Sequence, residues 1–315
     1  MKKVILYLLF CLPILSYAQV KWTNVDSLFQ PLPSTVHVYF TNDSLDGKPN
    51  IAYYVSAEVK DKNLIFTVDT TLERRLTPTK YFVRNDNPLV VVNSTFFEFT
   101  HSKNLNVVIK NGEQVGFSPQ ATIGRGKDTF TYRHTFSSAI GISKKRKVDV
   151  AWLFSDSTYK KPYAFQTPIS SFKDSAKQIN YKYISKKVGT SDKWKMQTAV
   201  GGGPVLLQNG EIKITNNEEQ KFGGKNGLTD KHPRTCMGYT ADGKLIIMAI
   251  QGRFPNKAEG ATLVQEAQLL KNIGCVEALN LDGGGSSCML VNGKETIKPS
   301  DKEGQRGVPC VFIIK

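Results

Sequence analysis

A carboxylate, three consecutive glycines and two hydroxyls stand side by side at Asp282, Gly283, Gly284, Gly285, Ser286 and Ser287. Consecutive glycines forfeit side-chain packing and cost backbone entropy on ordering. A chain uses them where its backbone turns sharply or lies close to something else. The bare N–H groups from Gly283 to Ser287, with the two hydroxyls, make a surface suited to an oxyanion or a sugar. Asp282 beside them is a candidate general acid or base. A second triple glycine, Gly201, Gly202 and Gly203, runs into Pro204, and a polar cluster at Asn93, Ser94 and Thr95 follows an apolar run. Arg234 with Thr235, Arg253 and Arg306 each stand at the end of an apolar segment. The guanidinium fork suits phosphate and carboxylate. Each element alone reads as a turn or a solvated charge. Together they point to a site for an anionic, hydroxyl-rich ligand.

The segments that must position these residues are mostly strands. Short β-branched and aromatic runs recur near 35–40, 51–59 and 64–68,. The run Pro88-Leu-Val-Val-Val92 is apolar throughout, as in a strand buried on both faces,. Asn111-Gly112, Asn209-Gly210 and Asp242-Gly243 mark turns between strands,. Residues 260–273 form the one well-marked helix. Thr262 and Gln265 fit a capping box, Leu263, Ala267 and Leu270 share a face, and Gly274 ends it,. Residues 156–195 read as an inserted loop or lid, and 215–233 as a polar, mobile stretch. The expected class is α+β, a large mixed or antiparallel sheet with few helices. The expected organisation is a signal peptide over 1–18, strands of 19–84 contributing to the main domain, and a domain over 85–315.

A basic head, an apolar run and Ser16-Tyr17-Ala18 describe an export signal cut after Ala18, too short for a stable membrane span,. The expected location is the periplasm, the cell surface or the medium. The chain carries 42 Lys and Arg against 27 Asp and Glu, a net +15, which favours acidic partners such as anionic glycans,. Ser143-Lys-Lys-Arg-Lys-Val148 reads as a solvated basic turn in an exported chain, so nucleic acid is not an expected partner,. Cys236, Cys275, Cys288 and Cys310 lack zinc-ligand spacing, and both disulfides and buried thiols fit them,.

Leu279-Asn-Leu-Asp-Gly-Gly-Gly-Ser-Ser287, with the helix before it and Val291-Asn-Gly293 after it, closely resembles the phosphodiester glycosidase domain family. The likeness extends through Gly201-Gly-Gly-Pro204, Arg234-Thr235, Gly252-Arg253, Pro299-Ser-Asp301 and Arg306. Asn93 to Phe97 matches less well, because Ser94-Thr95 replaces two glycines of the family pattern. The resemblance implies hydrolysis at the anomeric carbon of a sugar 1-phosphodiester, leaving a phosphomonoester. It implies a carboxylate at the reacting carbon, with Asp282 first and Glu98 second. Arg234, Arg253 and Arg306 would meet charge on the phosphate. Asn93, Thr95, Thr235, Ser286, Ser287 and both glycine runs would hold sugar or phosphate oxygens. No cofactor is required, although Asp282 with backbone oxygens suits a calcium or magnesium ion. The expected partner is a phosphorylated or anionic glycan. Two alternatives use the same residues: a non-catalytic glycan-binding protein, and a metal-dependent phosphodiesterase cutting the P–O bond.

Overall fold

The computed structural model describes residues 20–315 except 125, 224 and 225. The expected export signal lies outside the described residues. The class is α+β and mostly β, with every strand pairing antiparallel. The chain builds several packed sheets in place of one large one. The longest has eight strands, with Ala52–Glu58, Lys244–Ile250, Arg234–Thr240, Cys275–Asn280 and Val205–Gln208 as successive neighbours. A seven-stranded sheet centres on Val148–Phe154, Ser138–Ser143 and Met196–Gly201. A five-stranded sheet places Val90–Asn93 and Cys310–Ile314 side by side at its middle.

Alternation explains why the sheets stack. Leu245, Ile247 and Ala249 join one apolar core, while Ile246, Met248 and Ile250 join another. In the same way Val90 and Val92 face one core and Val91 another, as do Phe312 and Ile313. Side chains alternate across a strand, so a wholly apolar strand needs cover on both faces. Each fully buried Val or Ile contributes roughly 1.5–3 kcal/mol. The first core is shared by Val55 of the eight-stranded sheet, Trp152 of the seven-stranded and Phe312 of the five-stranded. Helix Leu263–Ile273 covers the outer face of the first sheet with Leu263, Ala267 and Leu270, and both halves of its capping box form. Gly274 ends it in the left-handed region, at φ 99°.

Asn111-Gly112 and Asn209-Gly210 both adopt paired positive φ, the signature of tight hairpin turns,. Residues 143–147 form the expected turn, but Arg146 is not simply solvated: it donates to Leu64 O at 2.8 Å and to Val59 O at 3.3 Å. Among the described residues three further α-helices accompany the expected one: Pro78–Arg84, Tyr181–Val188 and Asn216–Glu219. Residues 156–195 are not a bare lid. They supply Tyr163–Phe165 and Asp192–Lys193 to the seven-stranded sheet, and Ile184 is fully buried. The stretch 215–233 is likewise tied down through buried Glu219. All four cysteines in the described chain are buried free thiols.

Candidate active site

The Asp282 loop is pinned by residues from two distant stretches. Leu281 N–H donates to Thr235 O at 2.8 Å, Asp282 N–H to Ser94 O at 2.9 Å and Gly284 N–H to Pro233 O at 2.8 Å. Asn93 is the pivot. Its amide donates to Asp282 O at 2.6 Å, and its Oδ1 accepts from Thr235 Oγ1 at 2.9 Å and from Cys288 N–H at 3.0 Å. One fully buried side chain therefore fixes the loop at its start and its end.

Several residues expected to hold substrate are used inside the protein. Asn93 and Thr235 bond each other, and Thr95 donates to Asn104 Oδ1. The N–H groups of Gly201, Gly202 and Gly203 go to Val107 O at 2.7 Å, Ser138 O at 2.9 Å and Asn280 O at 2.7 Å. A side chain on Gly202 would strike Asn280 O, and one on Gly203 would strike Glu219. That run is glycine because its neighbours press against it, which leaves its N–H groups nothing to offer a ligand. Arg234 is 2 % exposed and donates to Ala261 O at 2.9 Å and Asp230 O at 3.0 Å. Glu98 accepts from His101, at 2.7 Å from its backbone N–H, on a part-exposed turn, and no contact joins it to Asp282 among the described residues.

What still faces outward is a compact set. Ser286 and Ser287 N–H groups close the turn onto Gly283 O and Gly284 O, and the Gly283 N–H faces the Asp282 carboxylate, so of the five loop N–H groups only that of Gly285 has no acceptor among the described residues. The neighbouring hydroxyls of Ser286 and Ser287 are buried without partners. Buried polar atoms are nearly always paired, so such a cluster marks a place where a ligand or water completes the bonding. Asp282 keeps an accessible edge, yet burial pushes its pKa up to about 7. Ser286 and Arg306 oppose that rise more weakly, and the Ser286 hydroxyl makes no well-aligned bond to it.

Two guanidinium groups lie against the glycines. A side chain at Gly284 would stand 2.9 Å from Arg253 Nη2, and one at Gly285 would collide with Arg306. Arg306 is held by Asp301 at 2.6 and 2.7 Å. Arg253 is exposed, has no carboxylate partner among the described residues and sits at φ 65°, in the left-handed region that costs a non-glycine residue about 1–2 kcal/mol,. Local strain of this kind gathers at functional sites. Arg253→Gly is expected to relieve the backbone, holding or raising Tm, while lowering kcat/KM on a phosphodiester substrate by roughly 100-fold. Thermal melts and initial rates on one preparation check both halves. Equal activity would remove Arg253 from the site.

Two buried carboxylates and a half-buried lysine stand nearby, and two of the three were not legible in the sequence. Glu219, under Gly203, accepts from Ser138, Trp152, Val205 and Thr215. Lys221 donates to Ser137 Oγ at 2.9 Å, and burial lowers its pKa. Glu266 is fully buried behind Arg234 with neither oxygen bonded, and burial raises its pKa to about 7. Glu266 alone had a legible signal, as a carboxylate on the apolar face shared by Leu263, Ala267 and Leu270,. Among the described residues no group of three or more His, Cys, Asp or Glu is arranged to hold a metal ion.

A family model described as phosphodiester glycosidase matches residues 86–315. Over 103 residues the chain is 32% identical to N-acetylglucosamine-1-phosphodiester alpha-N-acetylglucosaminidase of Bos taurus, which covers 30% of this chain and 19% of that protein. Over 74 residues it is 40% identical to the prophage-derived protein YomE of Bacillus subtilis, 24% of this chain and 11% of that one. The chain thus aligns with less than a fifth of the length of either relative. Among solved structures, the catalytic domain of the zebrafish N-acetylglucosamine-1-phosphodiester alpha-N-acetylglucosaminidase superposes with a TM-score of 0.62 at 18% identity, over 90% of this chain and 84% of that one. A Synechocystis protein superposes at 0.60 and 13% identity, over 93% and 63%. At these identities the likeness to solved structures concerns the fold.

Proposed function

Because the chain belongs to the phosphodiester glycosidase family, we propose that it hydrolyses the glycosidic bond of a sugar 1-phosphodiester, releasing the sugar and leaving a phosphomonoester. The observation that carries this reading is the Asp282 carboxylate on a loop whose bare glycines admit Arg253 and Arg306. The bond from C1 to the phosphate oxygen breaks, and its electron pair stays with the phosphate. Arg253, Arg306 and the free N–H of Gly285 meet that charge,. A phosphate oxygen leaves without full protonation, so one carboxylate suffices where ordinary glycosides need two. Asp282 either bonds to C1 or takes the proton from the attacking water.

Both roles require Asp282 ionised. Its pKa is raised to about 7, so kcat/KM is expected to rise with pH through that region and level off above it. A rate that falls as pH rises through 7 would assign Asp282 the opposite role, as an acid. The reaction is tested by product analysis on N-acetylglucosamine 1-phosphodiesters, the sugar being that of the bovine enzyme's name. Free sugar with phosphomonoester supports the reading. Sugar phosphate with alcohol would mean P–O cleavage, and binding without release a glycan-binding protein on the same scaffold. The basic head, apolar run and Ser16-Tyr17-Ala18 support the proposal of an export signal over 1–18, and the excess of basic residues suits an anionic glycan of an envelope or medium,.

A further inference from the structure

Arg306 is not the last cation on its side of the loop. Its guanidinium carbon lies 5.4 Å from the centre of the Phe99 ring, and that of Arg75 lies 5.3 Å from the same centre. The two charges are therefore no further apart than those two distances laid end to end. Asp301 balances Arg306. Arg75 is exposed and has neither an ion-pair partner nor a side-chain hydrogen bond among the described residues, and it also lies 5.6 Å from Phe97. Phe99 itself is 60 % exposed.

The placement of Arg75 is built rather than loose. Leu76 N–H donates to Val308 O at 3.1 Å and Val308 N–H to Leu76 O at 2.9 Å, which ties the backbone beside Arg75 to the backbone beside Arg306. Gly307 lies bare against Arg75, whose Cβ would be 3.1 Å from any side chain there. An unbalanced cation beside the paired Arg306 is unfavourable unless an anion joins it,. Arg306 lies against Gly285, and the Phe99 ring links it to Arg75.

We propose that Arg75 and Phe99 form an outer anion subsite, so that the preferred substrate carries a second negative oxyanion group, phosphate or carboxylate, on the alcohol side of its phosphodiester. This rests on the proposed hydrolysis of sugar 1-phosphodiesters. Arg75 binds the outer group through its guanidinium, and Phe99 holds that guanidinium in place. Arg75 takes no part in bond breaking and sets specificity alone.

The test compares three N-acetylglucosamine 1-phosphodiesters whose alcohol parts are 2-hydroxyethyl, 2-phosphoethyl and 2-carboxyethyl. The wild-type protein is expected to favour one or both charged esters by about fivefold in KM with kcat unchanged, the scale of one exposed ion pair. Arg75→Met keeps the stem against the rings; it is expected to erase that preference and leave the neutral ester within about twofold of wild type. The better of the two charged esters names the outer group. Equal KM values for all three esters in wild type, or an equal loss on all three in Arg75→Met, overturn the proposal. If no ester is cleaved, the hydrolysis reading fails by itself, and calorimetry still decides the subsite. Arg75→Met should weaken glycerol 1,3-bisphosphate but not glycerol 3-phosphate; an equal effect on both overturns it.

Discussion

Asp282→Asn is expected to lower kcat/KM on a sugar 1-phosphodiester by roughly 1,000-fold, the loss that follows removal of a positioned proton acceptor or nucleophile. The substitution keeps the size and shape of the side chain. The bonds that hold the loop use the backbone of Asp282, which accepts from Asn93 and donates to Ser94 O. The loop should therefore stay in place. Protein crowding also disfavours charge here, since burial carries the carboxyl up to about 7. A folded-state pKa above the unfolded value contributes stability at low pH that is lost as pH rises through the folded value. Asparagine removes that loss, so the variant should melt at or above the wild-type temperature at pH 8. Activity lost together with Tm would mean the residue holds the fold. Turnover near wild type would show that another group attacks.

Arg234→Ala is expected to act in the opposite way, on stability first. The side chain is buried and bonds two backbone carbonyls, at 2.9 and 3.0 Å. It also stacks on Phe222 at 5.5 Å and is the charge that draws the Glu266 pKa down against burial. Removing it strands both carbonyls and leaves Glu266 alone, at a cost of about 3–5 kcal/mol. Glu266 makes that cost pH-dependent. With Arg234 present burial already raises its folded pKa to about 7, and without that charge the pKa rises further, so the added cost is absent at low pH and sets in as pH rises through about 7. Thermal melts of Arg234→Ala at pH 5 and pH 8 should show the larger deficit at pH 8. Adding Glu266→Gln should recover part of it at pH 8 and little at pH 5. If Arg234→Ala melts like wild type at both pH values but loses activity, Arg234 contacts substrate, as its sequence position first suggested.

That reversal shows what the sequence can and cannot reveal. Local rules were legible. The Asn-Gly turns, the capping box of Thr262 and Gln265, and the doubly buried run at 88–92 depend on neighbours a few positions away. The convergence of separate polar stretches was also legible from their types, because glycine runs, arginines and a carboxylate suit one kind of ligand. Which atoms remain free for that ligand was not. Asn93 meets Asp282 across 189 positions, and Lys221 meets Ser137 across 84. A polar residue whose bonding is completed from such distances looks, in one dimension, the same as one left open. Gly201 to Gly203 shows the same limit, since closeness of the protein's own backbone and closeness of a ligand select the same residue.

The strand Cys310–Ile314 lies between Phe66–Thr70 and Val90–Asn93 rather than at an edge. Thr70 reaches Pro309 across 239 positions. Such remote pairings are entropically slow to form, and a ribosome delivers their two halves well apart in time. Until residue 310 and its successors emerge, Phe66–Thr70 has no strand to pair with, and Val90–Asn93 has only Met289–Val291 beside it. A half-synthesised chain thus leaves that sheet incomplete, and activity is expected only once the whole polypeptide has emerged.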